Sequence, residues 1–253
     1  MCRHLAYLGP PRTLAEILLE PEHGLLRQSY APADMRGGGT INADGFGAGW
    51  YPAGSAGPAR VRSARPLWAD TSFAALAGAT STGAALAAVR SATVGMPVVE
   101  TAAAPFTDGR WLFSHNGVVR DWPGSLAGAA ARLPVTDLMT LDAPTDSAVL
   151  WALVRARLRA GDDPADVLAG TCAAVDRDAP GSRLNLLLTD GATIWATAWR
   201  HALAVLGHDG ATTVASEPTH EFPDWTQVPD RHLVVARPGH HDLYPLTGPR
   251  ARG

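Results

Sequence analysis

The sequence contains no lysine; all 21 of its basic residues are arginine. A Schiff-base lysine and a phosphate-binding P-loop lysine are therefore excluded, and with them pyridoxal-phosphate enzymes and Walker-type NTPases. Cysteine is nearly absent too: Cys2 and Cys172 cannot staple a disulfide scaffold, and so few thiols fit a reducing compartment. No run of about 18 apolar residues exists, so no membrane-spanning helix is expected. The start Met1-Cys2-Arg3-His4 leads only to Gly9-Pro10-Pro11, without the apolar core of a secretion signal. A cytoplasmic protein with no membrane partner is the expectation. The net charge is −3 and no basic patch is visible, which argues against a nucleic-acid partner. Charged residues make up 18% and form no long like-charge run, which argues against a disordered acidic module.

What remains is a chain of 253 residues, 46% hydrophobic, long enough to bury a core without staples. Residues 3–9 read as a strand. Thr13 caps a short helix to Leu19 after a Pro-Pro break, with Glu16 completing a capping box. Residues 46–51 read as a strand with alternate glycines, a sign of close approach by another backbone or a ligand. Strands are also expected at 61–65, 86–91 and 110–114, and a helix over 69–78. The Gly/Ala-rich stretch 78–88 is the best candidate break, read as a surface turn. An amphipathic helix follows Thr145-Asp146-Ser147 to about Arg159, and Asp163-Pro164 starts a second. Strands near 184–188, 194–199, 202–207, 212–215 and 232–235 complete the pattern. Strands, a central helical pair and strands again suit a layered α+β protein, with two stacked sheets covered by helices, formed as one domain over residues 1–253.

Four places carry chemistry. Cys2 directly follows the initiator Met. Removal of Met1 would leave a residue with both a thiol and a free α-amine, whose pKa of about 7.7–8.0 lets it take the thiol proton. The same cysteine equally suits an incidental small residue at a chain end. Arg90 ends an apolar strand with Thr93 three residues on; its planar fork suits a carboxylate, or it is a surface charge. Asn116 and Gly117 offer a side-chain amide and an unobstructed N–H, the two donors of an oxyanion hole, or an ordinary hairpin turn. Asp146 suits a substrate ammonium or a helix N-cap.

In order and spacing, Cys2, R-x-x-T-x-G at 90–95, H-N-G at 115–117 and T-D-S at 145–147 resemble the glutaminase domain of class II glutamine amidotransferases. Those are N-terminal-nucleophile hydrolases. The resemblance implies a four-layer αββα sandwich. It implies Cys2 as nucleophile, Asn116 and Gly117 as the oxyanion hole, Arg90 with Thr93 on a glutamyl α-carboxylate, and Asp146 on its α-ammonium. Neither a metal nor an organic cofactor is implied. The segments 1–9, 42–51 and 214–218 are similar to the small stand-alone amidohydrolases of this group. That likeness implies a small-molecule γ-glutamyl substrate, cleaved through a Cys2 thioester: γ-glutamyl-hercynylcysteine sulfoxide, in ergothioneine biosynthesis. A glutaminase subunit feeding ammonia to a separate synthase and a non-catalytic binding module are the alternatives. No synthase domain follows within these 253 residues. Homo-oligomerisation is left open.

The remaining polar and aromatic residues are assigned more plainly. His4, two residues after Cys2, reads as a strand histidine satisfied by backbone or as a second base, and His115 as structural. His240-His241 reads as a solvated turn after Pro238-Gly239, and Cys172 as a small core residue. The remaining histidines show no zinc spacing. Trp50, Trp68 and Trp122 fall near loops, where an aromatic face could meet a quaternary ammonium. The Gly-rich stretch 31–45 is either a lid or a simple connection.

Overall fold

Along the first strand, Leu5 and Tyr7 pack against helices while Ala6 and Leu8 pack against a second sheet. Successive side chains of a strand point to opposite faces, so an all-apolar run requires cover on both sides. The computed structural model, which describes residues 2–34, 41–221 and 223–246, builds its layers on this rule.

One sheet comprises β1 (Arg3–Thr13), β2 (Phe46–Trp50), β3 (Ala59–Ser63), β4 (Ser81–Val89), β9 (Ala204–His208), β10 (Ala211–Ala215) and β11 (Thr226–Gln227), in the order β11-β9-β10-β1-β4-β2-β3. The other comprises β5 (Phe106–Asp108), β6 (Trp111–Val118), β7 (Arg183–Thr189), β8 (Ile194–Ala198), β12 (His232–Arg237) and β13 (His240–Pro245), in the order β13-β12-β8-β7-β6-β5. Helices α1 (Leu14–Leu18), α2 (Leu25–Gln28) and α3 (Thr71–Ala79) cover the first sheet. The short α4 (Ala127–Ala130) and α5 (Val135–Met139) precede the long pair α6 (Asp146–Arg159) and α7 (Pro164–Asp178) on the second.

Three hydrophobic clusters separate four layers. Leu14, Leu18 and Phe73 seal the first helical layer onto β1, β2 and β4. Leu86, Leu112, Leu187 and Val234 fill the space between the sheets. Leu150, Val154, Leu168 and Val175 face Leu184, Leu186 and Leu188 of β7. Phe113 stacks on Trp151 at 5.2 Å between ring centres. The αββα sandwich implied by the resemblance is thus the observed architecture.

Local signals place most element ends. Thr13 and Glu16 form the expected reciprocal capping box. Asp70 caps α3 through Phe73 N–H, and Asp163 caps α7 ahead of Pro164. Four expectations are corrected. The stretch 78–88 is no break: it leads from the end of α3 into β4, which pairs with both β1 and β2. The Pro-Pro pair does not end β1, because a register shift between Leu8 and Arg12 absorbs it. Asn116-Gly117 is not a hairpin turn; β6 continues through both to Val118, paired with β7. His240 and His241 open β13, the turn lying at Pro238 and Gly239.

Gly47 in β2 meets the close-approach expectation, since a Cβ there would stand 2.4 Å from the Ala104 carbonyl oxygen. Residues 35–40, on which the lid expectation falls, lie outside the described residues, as does Met1. Among the described residues no helix is long and apolar enough to cross a membrane.

Candidate active site

The antiparallel register of β1 and β4 pairs Arg3 with Val89, so Cys2 and Arg90, one step beyond each, come side by side. The half-buried Cys2 thiol lies 3.7 Å from the Ser91 carbonyl oxygen. Arg90 is buried, and one guanidinium nitrogen donates to the Pro97 carbonyl at 2.8 Å. That bond holds the loop after β4 and aims the fork; the remaining N–H groups have no side-chain or backbone partner among the described residues. Thr93 sits exposed on the same loop and does not line the cleft around Cys2.

That cleft joins Cys2 and Arg90 of one sheet to Phe106 and His115 of the other and to Ser147 of α6. His115 Nε2 lies 3.0 Å from the Arg183 carbonyl oxygen, and Nδ1 lies 2.9 Å from Ser147 Oγ. In a neutral imidazole the carbonyl demands Nε2–H, so Nδ1 accepts from the serine hydroxyl. His115 is thus structural as expected, but it also forms one wall of the cleft.

Asn116 is fully buried. Its amide nitrogen donates to Ser216 Oγ at 2.9 Å, while its Oδ1 has no partner among the described residues. Ser216 Oγ also accepts from the His4 N–H at 2.9 Å. One amide hydrogen of Asn116 is committed to Ser216, and neither Asn116 nor Gly117 is among the residues lining the Cys2 cleft, although His115 beside them is. Gly117 follows in β6, where a Cβ would lie 1.8 Å from the Arg183 carbonyl oxygen. Only glycine fits this approach of β7.

Asp146 is not the N-cap of α6. Thr145 caps the helix through Ala148 N–H, and Asp146 is its first residue. Both Asp146 oxygens are engaged: Oδ2 accepts from Val119 N–H at 3.0 Å and Oδ1 from Ser147 N–H at 2.7 Å. Each oxygen has a second lone pair, so an ammonium can still be received by a carboxylate whose direction is already fixed.

His4 is not satisfied by backbone through its ring. Nδ1 faces Ser114 Oγ at 3.2 Å, and Nε2 is buried without a partner among the described residues. Burial, reinforced by His115, His201 and Arg3, holds its pKa down at about 3. A neutral His4 in a sealed interior is no general base for Cys2. Cys172 is a core residue as expected; burial raises its thiol to about 12. None of Trp50, Trp68 and Trp122 lines the cleft.

Sequence reasoning missed the His115–Ser147 contact, the Ser216 support of Asn116, and the pairing of Arg3 with Glu217 (3.5 Å). Ser216 and Glu217 lie in a segment that carried the resemblance, but nothing in one dimension couples them to residues 3 and 116. An open cleft of about 850 Å³ beside α2, lined by His23, Leu26 and Arg27 among others, shares no residue with the Cys2 cleft. Volume is a poorer guide here than the convergence of polar groups.

Two antiparallel sheets packed face to face, helices outside and a cysteine at the head of a central strand define an N-terminal-nucleophile fold. The sequence pattern of the class II glutamine amidotransferases matches residues 26–210, and the chain belongs to that family. It is 44% identical over 247 residues to the γ-glutamyl-hercynylcysteine sulfoxide hydrolase of Mycolicibacterium smegmatis, covering 97% of this chain and 100% of that protein. The protein of the same name from Mycobacterium tuberculosis is 43% identical over 234 residues, covering 92% of each. In solved structures, a glutamine aminotransferase class-II domain protein from Silicibacter pomeroyi superposes with a TM-score of 0.71 at 23% identity, over 98% of this chain and 100% of that one. That likeness shows the fold.

Proposed function

We propose that the chain is an amidohydrolase that cleaves the γ-glutamyl amide of γ-glutamyl-hercynylcysteine sulfoxide, releasing glutamate and hercynylcysteine sulfoxide in ergothioneine biosynthesis. Its identity to the mycobacterial hydrolases over nearly the full chain supports the substrate. The juxtaposition of Cys2 and Arg90 at paired strand ends carries the mechanism. In this reading one domain suffices, acting on a small molecule in the cytoplasm with both thiols free.

Processing of Met1 frees the Cys2 α-amine. Arg90 grips the α-carboxylate of the glutamyl group, and Asp146 holds its α-ammonium. Fixing both ends turns the attack into a positioned one. The α-amine takes the thiol proton, and Sγ attacks the γ-carbonyl carbon. The oxygen's developing charge meets the Asn116 amide and the Gly117 N–H; one such donor is typically worth ~10²–10³ in turnover. The protonated α-amine then gives its proton to the leaving nitrogen, and the C–N bond breaks. Water, deprotonated by the same amine, hydrolyses the glutamyl thioester and restores the thiol.

The test is glutamate release from γ-glutamyl-hercynylcysteine sulfoxide by wild type and Cys2→Ala at equal protein. Release by wild type alone, with a thioester adduct of glutamyl mass on Cys2, is expected. Comparable rates overturn the mechanism. Faster cleavage of free glutamine than of the bulky amide overturns the substrate and favours an ammonia-supplying subunit.

A further inference from the structure

A nucleophile at the head of a chain has no upstream backbone to hold it. Once Met1 is gone, Cys2 is tethered to β1 by a single bond pair, and rotation about its Cα–C bond carries the α-amine and Sγ around together. A hydrogen bond to the Cys2 carbonyl fixes the Cys2–Arg3 peptide plane, and with it the position of Cys2 Cα and the axis from which both groups hang. The carbonyl accepts a hydrogen bond from Arg3 Nη1 at 3.0 Å. Arg3 is itself 1% exposed and faces Glu217, 3% exposed, with Nε 3.5 Å from Oε1, a charge contact rather than an aligned hydrogen bond. The second terminal nitrogen of Arg3 donates to the Asp34 carbonyl, and Glu217 Oε2 accepts from Asp34 N–H at 2.6 Å. His23 Nε2 stands 3.3 Å from Glu217 Oε1. The guanidinium is thus clamped between a buried carboxylate and a backbone segment, leaving one edge for Cys2.

We infer that Arg3 and Glu217 are a positioning pair for the nucleophile, acting through the Cys2 carbonyl. The inference rests on Cys2 being the nucleophile. A buried ion pair adds little stability over apolar residues of the same volume, but its planar fork fixes direction as a lysine cannot. Without the carboxylate the guanidinium turns, the Cys2 carbonyl is released, and the α-amine and thiol leave their productive geometry. Substrate binding by Arg90 and Asp146 is untouched, so kcat falls while KM holds.

The experiment compares wild type, Glu217→Gln, Arg3→Lys, the charge-free double variant Arg3→Gln/Glu217→Gln and Cys2→Ala, all with Met1 processing verified by mass. Readouts are kcat and KM for γ-glutamyl-hercynylcysteine sulfoxide, the pH profile of iodoacetamide alkylation at Cys2, and thermal unfolding. The expected result is a fall in kcat of roughly 10–100-fold, the scale of an ångström-sized misplacement. KM should stay within about threefold, and alkylation should slow in the same variants. Arg3→Lys keeps the charge and loses the fork, so it should recover only part of the loss. The double variant leaves no unpaired buried charge; it keeps the fold available should the single variants unfold. A folded double variant with wild-type kcat and alkylation overturns the inference, as does a loss of kcat that tracks melting temperature alone with alkylation unchanged. Glutamate release by Cys2→Ala instead overturns the nucleophile assignment, an outcome distinct from either.

Discussion

The Asn116 side-chain amide donates to Ser216 Oγ at 2.9 Å, tying β6 of one sheet to the end of β10 in the other. The same oxygen receives the His4 N–H and, at 3.3 Å, returns its proton to the His4 carbonyl. With that proton committed, Ser216 can only accept from Asn116, so the NH₂ edge and not the oxygen faces it. Ser216→Ala removes the acceptor and lets the amide swivel. We expect kcat to fall about 5–10-fold, the scale of one net hydrogen bond, and less than in Asn116→Ala. Steady-state kinetics on both variants check it; an unchanged kcat in Ser216→Ala removes this role.

Gly117→Ala places a methyl group where the Arg183 carbonyl already stands. Strands β6 and β7 must part, and overpacking of this kind costs roughly 1–3 kcal/mol or more. For a chain of this size that lowers the melting temperature by roughly 3–10 °C. Thermal unfolding of the variant measures it. A melting temperature within a degree of wild type refutes the steric account.

His4 gives the fold a pH-dependent weakness. The unfolded chain protonates this ring near 6.5, whereas the folded chain refuses the proton until about 3. Between those values the unfolded state binds more protons, so stability rises with pH across the window and is lost as pH falls through it. His4→Gln should flatten the slope of unfolding free energy between pH 6.5 and 3, by up to a few kcal/mol over the whole range. Urea titrations at several pH values decide it, and parallel slopes for both proteins contradict the burial argument.

Asp146 has both oxygens on backbone N–H groups, so Asp146→Ala should weaken the fold as well as the clamp. The two losses separate by substrate. Against the γ-glutamyl amide the variant should lose about tenfold or more in kcat/KM beyond its loss against an analogue lacking the α-amine, since charge-assisted hydrogen bonds are worth ~1.5–3 kcal/mol. Equal losses for the two substrates would assign Asp146 to the fold alone.

Period and composition made the layered α+β architecture legible. Short apolar runs and amphipathic helices with Thr13, Asp70 and Asp163 at their starts fix element type locally, because capping and propensity act over a few residues. The stretch 78–88 defeats a local reading for the same reason. An alanine-rich strand has weak local preference, and β4 is a strand only because β1 and β2 flank it. The four candidate motifs were legible as residue types, and the structure brings Cys2, Arg90 and His115 to one cleft.

The sequence by itself determined the chemistry on offer: a thiol near the chain start, an arginine at a strand end, an amide followed by glycine, and no lysine. Tertiary structure alone decided which of these meet and what holds them. The Arg3–Val89 register sets Cys2 beside Arg90, while Ser216 reaches back 100 positions to Asn116 and Glu217 more than two hundred to Arg3. Hydrogen bonds and ion pairs act over a few ångströms of space and are indifferent to separation along the chain, so their partners cannot be read from spacing.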